Sequence, residues 1–338
     1  MLFLLFSFAC ESNPPDTSLL SPTPLEGRPL ESLKLARRMS LDIRGQYLSW
    51  EEVQQIQANP DSIQELMLRW FDDDGHRRQL RSLFSSMTLT RVDQFNVGAE
   101  DYFLDPNREL DFAYSVGQEP VELMTHVALQ DLPWTEIVLS DYTMADKMLF
   151  EIWDLDPVEQ YPSDREPWVP ARYGDNRPAG GVIMTNGLWW RHFTAPNNLS
   201  RSRATFLTKF IVCDDHLARV IDEPPNLRPD HDNLEDMVQT DPSCTACHIT
   251  LDPVAASLYG FWQYELYDPS EFEIYHPERE WIGTQDLNVD MGWYGQKLSS
   301  PVELGQKISE DPRFLSCAVS QLAERLWRRP IVEEDLGR

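Results

Sequence analysis

Apolar residues recur at helical spacing through most of the chain. Over residues 30–43, Leu33, Ala36, Met39 and Ile43 lie three or four positions apart, which predicts an amphipathic helix. Pro133 and the residues 141–143 interrupt the helical patterns in the region that contains 121–129 and 137–155. The other segments with helical patterns are 63–71, 76–87, 121–129, 137–155, 204–213 and 301–327.

Ser49 and Glu52 have the spacing of a capping box, in which each side chain bonds the backbone N–H of the other residue. The pair predicts that a second helix begins here and runs through Ile56. Alternation of apolar and polar residues, which would indicate strands, is scarce and short. The chain is therefore predicted to be mainly α, with multi-helix domains connected by long irregular loops.

Residues 157–181 are rich in Pro, Gly and Asp, a composition that is typical of a domain boundary. We expect a helical N-terminal domain over 30–156 and a C-terminal domain, bearing the main chemical motif, over 157–338. The acidic residues 333–335 after Pro330 are typical of the first turn of a helix. The C-terminal domain is therefore expected to continue further.

The N-terminus has a short apolar run, residues 2–8, that ends at Ala9 and Cys10. Such a run is typical of an export signal, and a Cys directly after a small residue resembles the bacterial lipoprotein signal. We therefore expect a signal over 1–9, lipidation of Cys10, and a Pro- and Ser-rich tether over 10–29. The protein would be periplasmic, or held at the outer membrane by its lipid alone. The alternative is an apolar N-terminus without a targeting role, since no Lys or Arg precedes the run.

The chain has 338 residues, with 56 Asp and Glu against 29 Lys and Arg, so its formal net charge is -27. This charge repels phosphate backbones and excludes nucleic-acid binding. The acidic, Pro-containing segment 214–236 is typical of an extended surface loop. Residues 252–290 include nine acidic side chains and one Arg. This face suits a basic redox partner, although calcium binding or simple solvation would use the same residues.

Cys244, Cys247 and His248 form a Cys-x-x-Cys-His motif, the attachment motif of c-type haem. Thiols one helical turn apart reach the same porphyrin edge, and the adjacent imidazole reaches the iron as its proximal ligand. Three other interpretations stay open: a redox dithiol, a simple disulfide between the two cysteines, and half of a zinc site. Zinc would need two further ligands, and only His216 and His231 are near in sequence.

Cys213 and Cys317 are the remaining cysteines, and they have two open interpretations. In an oxidising compartment they would pair as a disulfide, which we favour, and otherwise they are two separately buried thiols. The motif does not determine the second axial ligand of a haem. The candidates are Met184, Met291 and His192. A methionine ligand would raise the reduction potential, whereas an open position would allow peroxide or gas to bind.

The residues 241–253, with Cys-x-x-Cys-His followed by Leu-Asp-Pro, are similar to the core of planctomycete-type cytochrome c proteins, which are built from domains of unknown function. Cys213 has the spacing of that family, and the segment 37–45 resembles the start of a companion domain. Arg201 and Ala204 depart from the Pro and Gly that are usual there. The resemblance implies an exported, mainly helical protein with one haem c held by the Cys-x-x-Cys-His motif.

These observations predict a membrane-tethered monohaem c-type protein of the cell envelope that transfers single electrons. One alternative is a haem redox enzyme with an open sixth position on the iron. The other is a haem-free envelope lipoprotein that acts as a binding or scaffold module. The sequence has no serine-hydrolase signature, no phosphate-binding loop and no H-E-x-x-H zinc motif.

Overall fold

A computed structural model describes residues 31–219, 234–265, 267–332 and 335. The expected signal, the tether and Cys10 lie outside these ranges. The described part contains fifteen α-helices and five short strands, so the prediction of a mainly α fold is confirmed. No helix within the described ranges is both long and apolar enough to cross a bilayer.

Four helices form the first part of the described chain: α1 (Ser32–Arg44), α2 (Trp50–Ala58), α3 (Ile63–Phe71) and α4 (Asp74–Thr88). The capping box is present, since the Ser49 side chain accepts from the Glu52 N–H and the Glu52 carboxylate accepts from the Ser49 N–H at 2.7 Å. The same carboxylate accepts bonds from Trp70 Nε1 at 2.7 Å and Arg44 Nη2 at 2.6 Å. One capping residue therefore joins α2 to both α1 and α3, around a small core of Ala36, Ile56, Leu66 and Trp70.

The longest helix is α5 (Glu109–Leu129), which runs through the main core. The sequence pattern predicts only its last part, 121–129, because Pro120 and buried polar residues before it break the apolar periodicity. The sequence pattern predicts a helix over 137–155, but this segment is only partly helical. It contains α6 (Glu136–Leu139), strand β1 (Thr143–Ala145) and α7 (Lys147–Ile152). All three residues of β1 are buried, so no alternation marks the strand in the sequence.

Strands β1, β2 (Leu155–Pro157) and β3 (Val169–Tyr173) form an antiparallel sheet in the order β1-β3-β2. The boundary expected after residue 156 thus falls inside a strand that pairs with β3. Glu119 of α5 is fully buried behind this sheet. Its carboxylate accepts hydrogen bonds from Thr143 Oγ1 at 2.8 Å, from the Gly187 N–H at 2.7 Å and from the Tyr173 hydroxyl. These bonds connect α5 to β1, to β3 and to the short helix Asn186–Arg191, which contains Gly187.

The rest of the fold is again helical. The elements are α8 (Asn186–Arg191), α9 (Arg201–Val212), α10 (Leu234–Thr240), α11 (Pro242–Ala256), α12 (Pro269–Phe272), α13 (Glu280–Asp286), α14 (Val302–Glu310), α15 (Pro312–Trp327) and the strand pair β4 (Gly292–Trp293) and β5 (Gln296–Lys297). The pattern over 301–327 corresponds to two helices rather than one. Pro312 cannot continue α14, and the Asp311 side chain caps α15 by accepting from the Arg313 N–H at 3.0 Å.

One hydrophobic core extends from Phe84 to Phe314 and includes buried residues on both sides of the expected domain boundary. Cys213, directly after α9, forms a disulfide with Cys317 in α15, with 5.4 Å between the two Cα atoms. The structure therefore contains the pairing that we favoured over two separate thiols. The disulfide holds the end of α9 against α15, and both helices line the cavity described next.

Candidate haem-binding site

Helix α11 begins immediately before the Cys-x-x-Cys-His motif. The Asp241 side chain caps it by accepting from a backbone N–H at 2.8 Å, and Pro242 occupies the first helical position. Cys247 and His248 lie three and four positions after Cys244, so the three residues share one face of the helix. Both cysteines are free and partly buried, so the structure does not contain the disulfide between them that was one interpretation of the motif.

The motif lines a cavity of about 870 Å³, which is near the upper end of the ~300–1,000 Å³ that typical ligand sites enclose. Residues from α4, α9, α15 and the segment after Cys213 complete its wall. The wall is mostly apolar, as in other sites for flat organic groups. The apolar side chains that line it are Met87, Leu89, Phe206, Phe210, Leu217 and Leu251.

His248 is held by a buried carboxylate. Its Nδ1 lies 2.9 Å from Asp252 Oδ1, one helical turn further along α11. Asp252 in turn accepts two bonds from Arg201 of α9, at 2.8 Å from Nε and 3.0 Å from Nη2. Arg201 therefore orients Asp252 by a two-point contact, and Asp252 orients the imidazole ring.

The protonation of this group follows from its contacts. Burial alone would raise the pKa of Asp252, but hydrogen bonds from His248 and Arg201 outweigh burial and lower the pKa. An ionised carboxylate can only accept, so the proton between the two residues belongs to His248 Nδ1. In the neutral ring the lone pair is then on Nε2. A histidine that ligates a metal through one nitrogen while the other donates to a carboxylate has this arrangement.

The sequence analysis did not identify Asp252 as the partner of His248, nor Arg201 as the partner of Asp252. The spacing of His248 and Asp252 is a signal that could have found the carboxylate, because positions four apart lie on one face of a helix. No such signal exists for Arg201, which approaches from another helix. Arg201 was noted only as a departure from the Pro that the resemblance leads one to expect.

His216 is a second histidine on the cavity wall. It lies in a 3-10 turn three residues after Cys213, within the segment expected to be a surface loop, yet it is only 3 % exposed. Neither ring nitrogen has a hydrogen-bond partner within the part of the chain that the structure describes. The nearest carboxylate, Asp214, is 3.5 Å from Nε2, longer than an N–H···O bond. Burial lowers the pKa of His216, which favours the neutral ring.

The three distal-ligand candidates are all described, and none of them lines this cavity. Met184 is buried beside a different, smaller cavity, and Met291 packs against the main core. His192 lies behind the wall, since its ring stacks on Phe206 with 3.5 Å between centroids. Its Nε2 donates to the Thr88 carbonyl at 2.8 Å, and burial lowers its pKa to about 4.

The other interpretations of the motif can be compared with the structure. No three His, Cys, Asp or Glu side chains converge as metal ligands among the described residues, and His231 lies outside them. Helix α10, rather than a strand, precedes α11, whereas a thioredoxin-like dithiol belongs to a strand–helix context.

The residues at the cavity meet the requirements of a c-type haem. Two free thiols lie one helical turn apart, an imidazole offers a lone pair on Nε2, and the adjoining cavity is apolar. The buried His216, whose ring nitrogens have no hydrogen-bond partner among the described residues, is also one of the residues that line this cavity. No protein-family model, no curated protein and no solved structure matches this chain.

Proposed function

We propose that this protein is a monohaem c-type cytochrome of the cell envelope that transfers single electrons. One observation carries the proposal: His248 is oriented by an ionised carboxylate, beside two free thiols, at the edge of an apolar cavity. A redox dithiol or a disulfide would need the thiols but has no use for the oriented imidazole. A haem needs all three parts.

Each residue of the site has a defined task in this proposal. Cys244 and Cys247 would hold the haem through thioether bonds, and His248 would ligate its iron through Nε2. The bound group supplies an iron that can be ferrous or ferric. Asp252 fixes the ring of His248 and adds negative charge behind it, which favours the ferric state. The apolar wall keeps water away from the site, which also influences the reduction potential.

The compartment is part of the same proposal. A disulfide such as Cys213–Cys317 is typical of oxidising compartments, and c-type haem is attached after export. We infer that the protein is exported and is either periplasmic or held at the outer membrane through Cys10. A net charge of -27 suits a basic redox partner, since complementary charge accelerates association.

The test is to produce the full chain with a cytochrome c maturation system and to measure covalent haem by the pyridine haemochrome assay and by intact mass. We expect one haem for each chain. The double variant Cys244→Ser with Cys247→Ser should have none. Ala246→Ser changes an exposed residue between the two cysteines and should have a normal amount.

Two results would count against the proposal. Folded wild-type protein with an intact Cys213–Cys317 disulfide but without covalent haem would exclude a cytochrome and favour a haem-free lipoprotein that acts as a binding or scaffold module. Haem that is attached but turns over a substrate at an open sixth position would indicate a redox enzyme. Reactivity of the ferrous protein with carbon monoxide separates that outcome from simple electron transfer.

A further inference from the structure

His216 is the most unusual polar side chain on the cavity wall. It is 3 % exposed, and both of its ring nitrogens lack a hydrogen-bond partner among residues 31–219, 234–265 and 267–332. Buried polar groups are almost always paired with protein or water, so an unpaired pair of nitrogens needs an explanation. Because His216 is one of the residues that line the same cavity as His248, a group that occupies the cavity is a candidate partner for it.

The chain holds His216 in this place by several contacts. The disulfide at Cys213 fixes the start of the segment on α15. Asp214 accepts two bonds from Arg219, at 2.7 Å and 2.9 Å, and one from the Tyr294 hydroxyl at 2.8 Å. The Asp215 side chain caps the short turn that carries the histidine. His216 is therefore positioned from both sides, and Asp214 is already occupied by other donors.

We propose that His216 is the second axial ligand of the haem iron. This inference rests on the proposed function, because it requires a haem held by the Cys-x-x-Cys-His motif. A neutral imidazole has one nitrogen with a free lone pair, and among the described residues neither nitrogen of His216 has a hydrogen-bond partner, the nearest carboxylate being Asp214 at 3.5 Å. The iron would then have two histidine ligands, without an open position for a small molecule.

Two other side chains near the cavity are weaker candidates for the second iron ligand, because their existing contacts already occupy them. His192 already donates its Nε2 to the Thr88 carbonyl and lies behind Phe206. Met87 lines the cavity but also packs against the main core, which is the ordinary role of a methionine. A Met ligand would also give a higher reduction potential than a His ligand, so the two assignments differ in a measurable property.

The first experiment uses the wild-type holoprotein. We expect low-spin spectra in both oxidation states, without the weak red absorption band that accompanies an iron–methionine bond, and without rapid binding of carbon monoxide to the ferrous form. Electron spin resonance with hyperfine detection, on protein with ¹⁵N-labelled histidine, should reveal two histidine nitrogens bound to iron. This measurement needs no variant, so it decides the question even if His216 variants fail to fold.

The second experiment uses variants. His216→Ala should become high-spin and gain carbon monoxide binding, and added imidazole should restore the low-spin spectrum. Met87→Leu and His192→Ala are the matched controls, and both should keep the wild-type axial spectrum. Restoration by imidazole distinguishes lost ligation from general damage to the cavity.

The outcomes separate this inference from the proposed function. Covalent haem with only one bound histidine nitrogen, or a spectrum that changes in Met87→Leu but not in His216→Ala, would overturn the role of His216 and leave the cytochrome proposal standing. The absence of covalent haem in folded protein would overturn both.

Discussion

Two buried carboxylates show how differently the same chemical group is used in this molecule. Asp252, 3 % exposed, has a charged partner in Arg201 and a ring N–H partner in His248 beside the cavity. Glu119, 0 % exposed, lies between α5 and the three-stranded sheet and has only neutral donors. Both side chains are nearly inaccessible to solvent, but their hydrogen-bond partners differ.

The pKa values of the two groups move in opposite directions. Burial raises the pKa of Glu119 to about 6, because hydrogen bonds from Tyr173, Gly187 and Thr143 do not fully compensate for lost solvation. At Asp252 burial would raise the pKa, but the hydrogen bonds from His248 and from the Arg201 guanidinium, which donates two of them, outweigh burial and lower it. The comparison indicates that Asp252 is kept charged at the site, whereas Glu119 connects elements of the fold.

The largest expected effect is on stability at the candidate site. Asp252→Ala removes the partner of both Arg201 and His248, so a partly buried guanidinium loses its counter-charge. We expect a loss of about 3 kcal/mol in the free energy of unfolding, the low end for a broken buried pair because Arg201 still reaches solvent. Urea unfolding of the haem-free protein measures this, and the yield of covalent haem should fall as well. Unchanged stability would show that the ion pair is not formed in solution.

The pH dependence of stability should reveal the raised pKa of Glu119, in contrast to the lowered pKa of Asp252. Since its folded pKa is raised from 4.5 to about 6, the native state prefers the proton, and this contribution is complete below about pH 4.5. The contribution is lost as the pH rises through about 6. The loss corresponds to about 2 kcal/mol in the free energy of unfolding. Glu119→Gln cannot titrate, so the stability of the wild type relative to this variant should fall by that amount across the window. A constant difference between the two proteins would contradict the raised pKa.

Under the proposed function, a smaller effect is expected on the reduction potential of the haem. Asp252→Asn keeps the size of the side chain but removes the negative charge behind His248. The loss of this charge destabilises the ferric state. A tenfold change in the relative stability of the two oxidation states, at the low end for partners of metal ligands, would raise the potential by about 60 mV. Redox titration of the haem protein measures this shift. Glu119→Gln is the control, and an equal shift in both variants would mean that Asp252 has no special relation to the site.

Several local features could be predicted from the sequence. The capping box at Ser49 and Glu52, the helix over 63–71 and the helical face that carries Cys244 to His248 depend on residues close together in the chain. The strand β1 and the first half of α5 could not be predicted. Their burial on all sides, with Pro120 and buried polar residues in α5, removes the periodicity on which such predictions depend.

The sequence by itself determined which groups the motif contains and which helical face they share, because backbone periodicity places residues three and four apart together. For Cys213 and Cys317 it left two interpretations open, a disulfide, which we favour, and two separately buried thiols. Only the tertiary structure decided that Arg201 reaches Asp252, and that His216 rather than His192, Met184 or Met291 lines the cavity. Contacts between distant segments depend on how the helices pack around one core, and no local pattern specifies that packing.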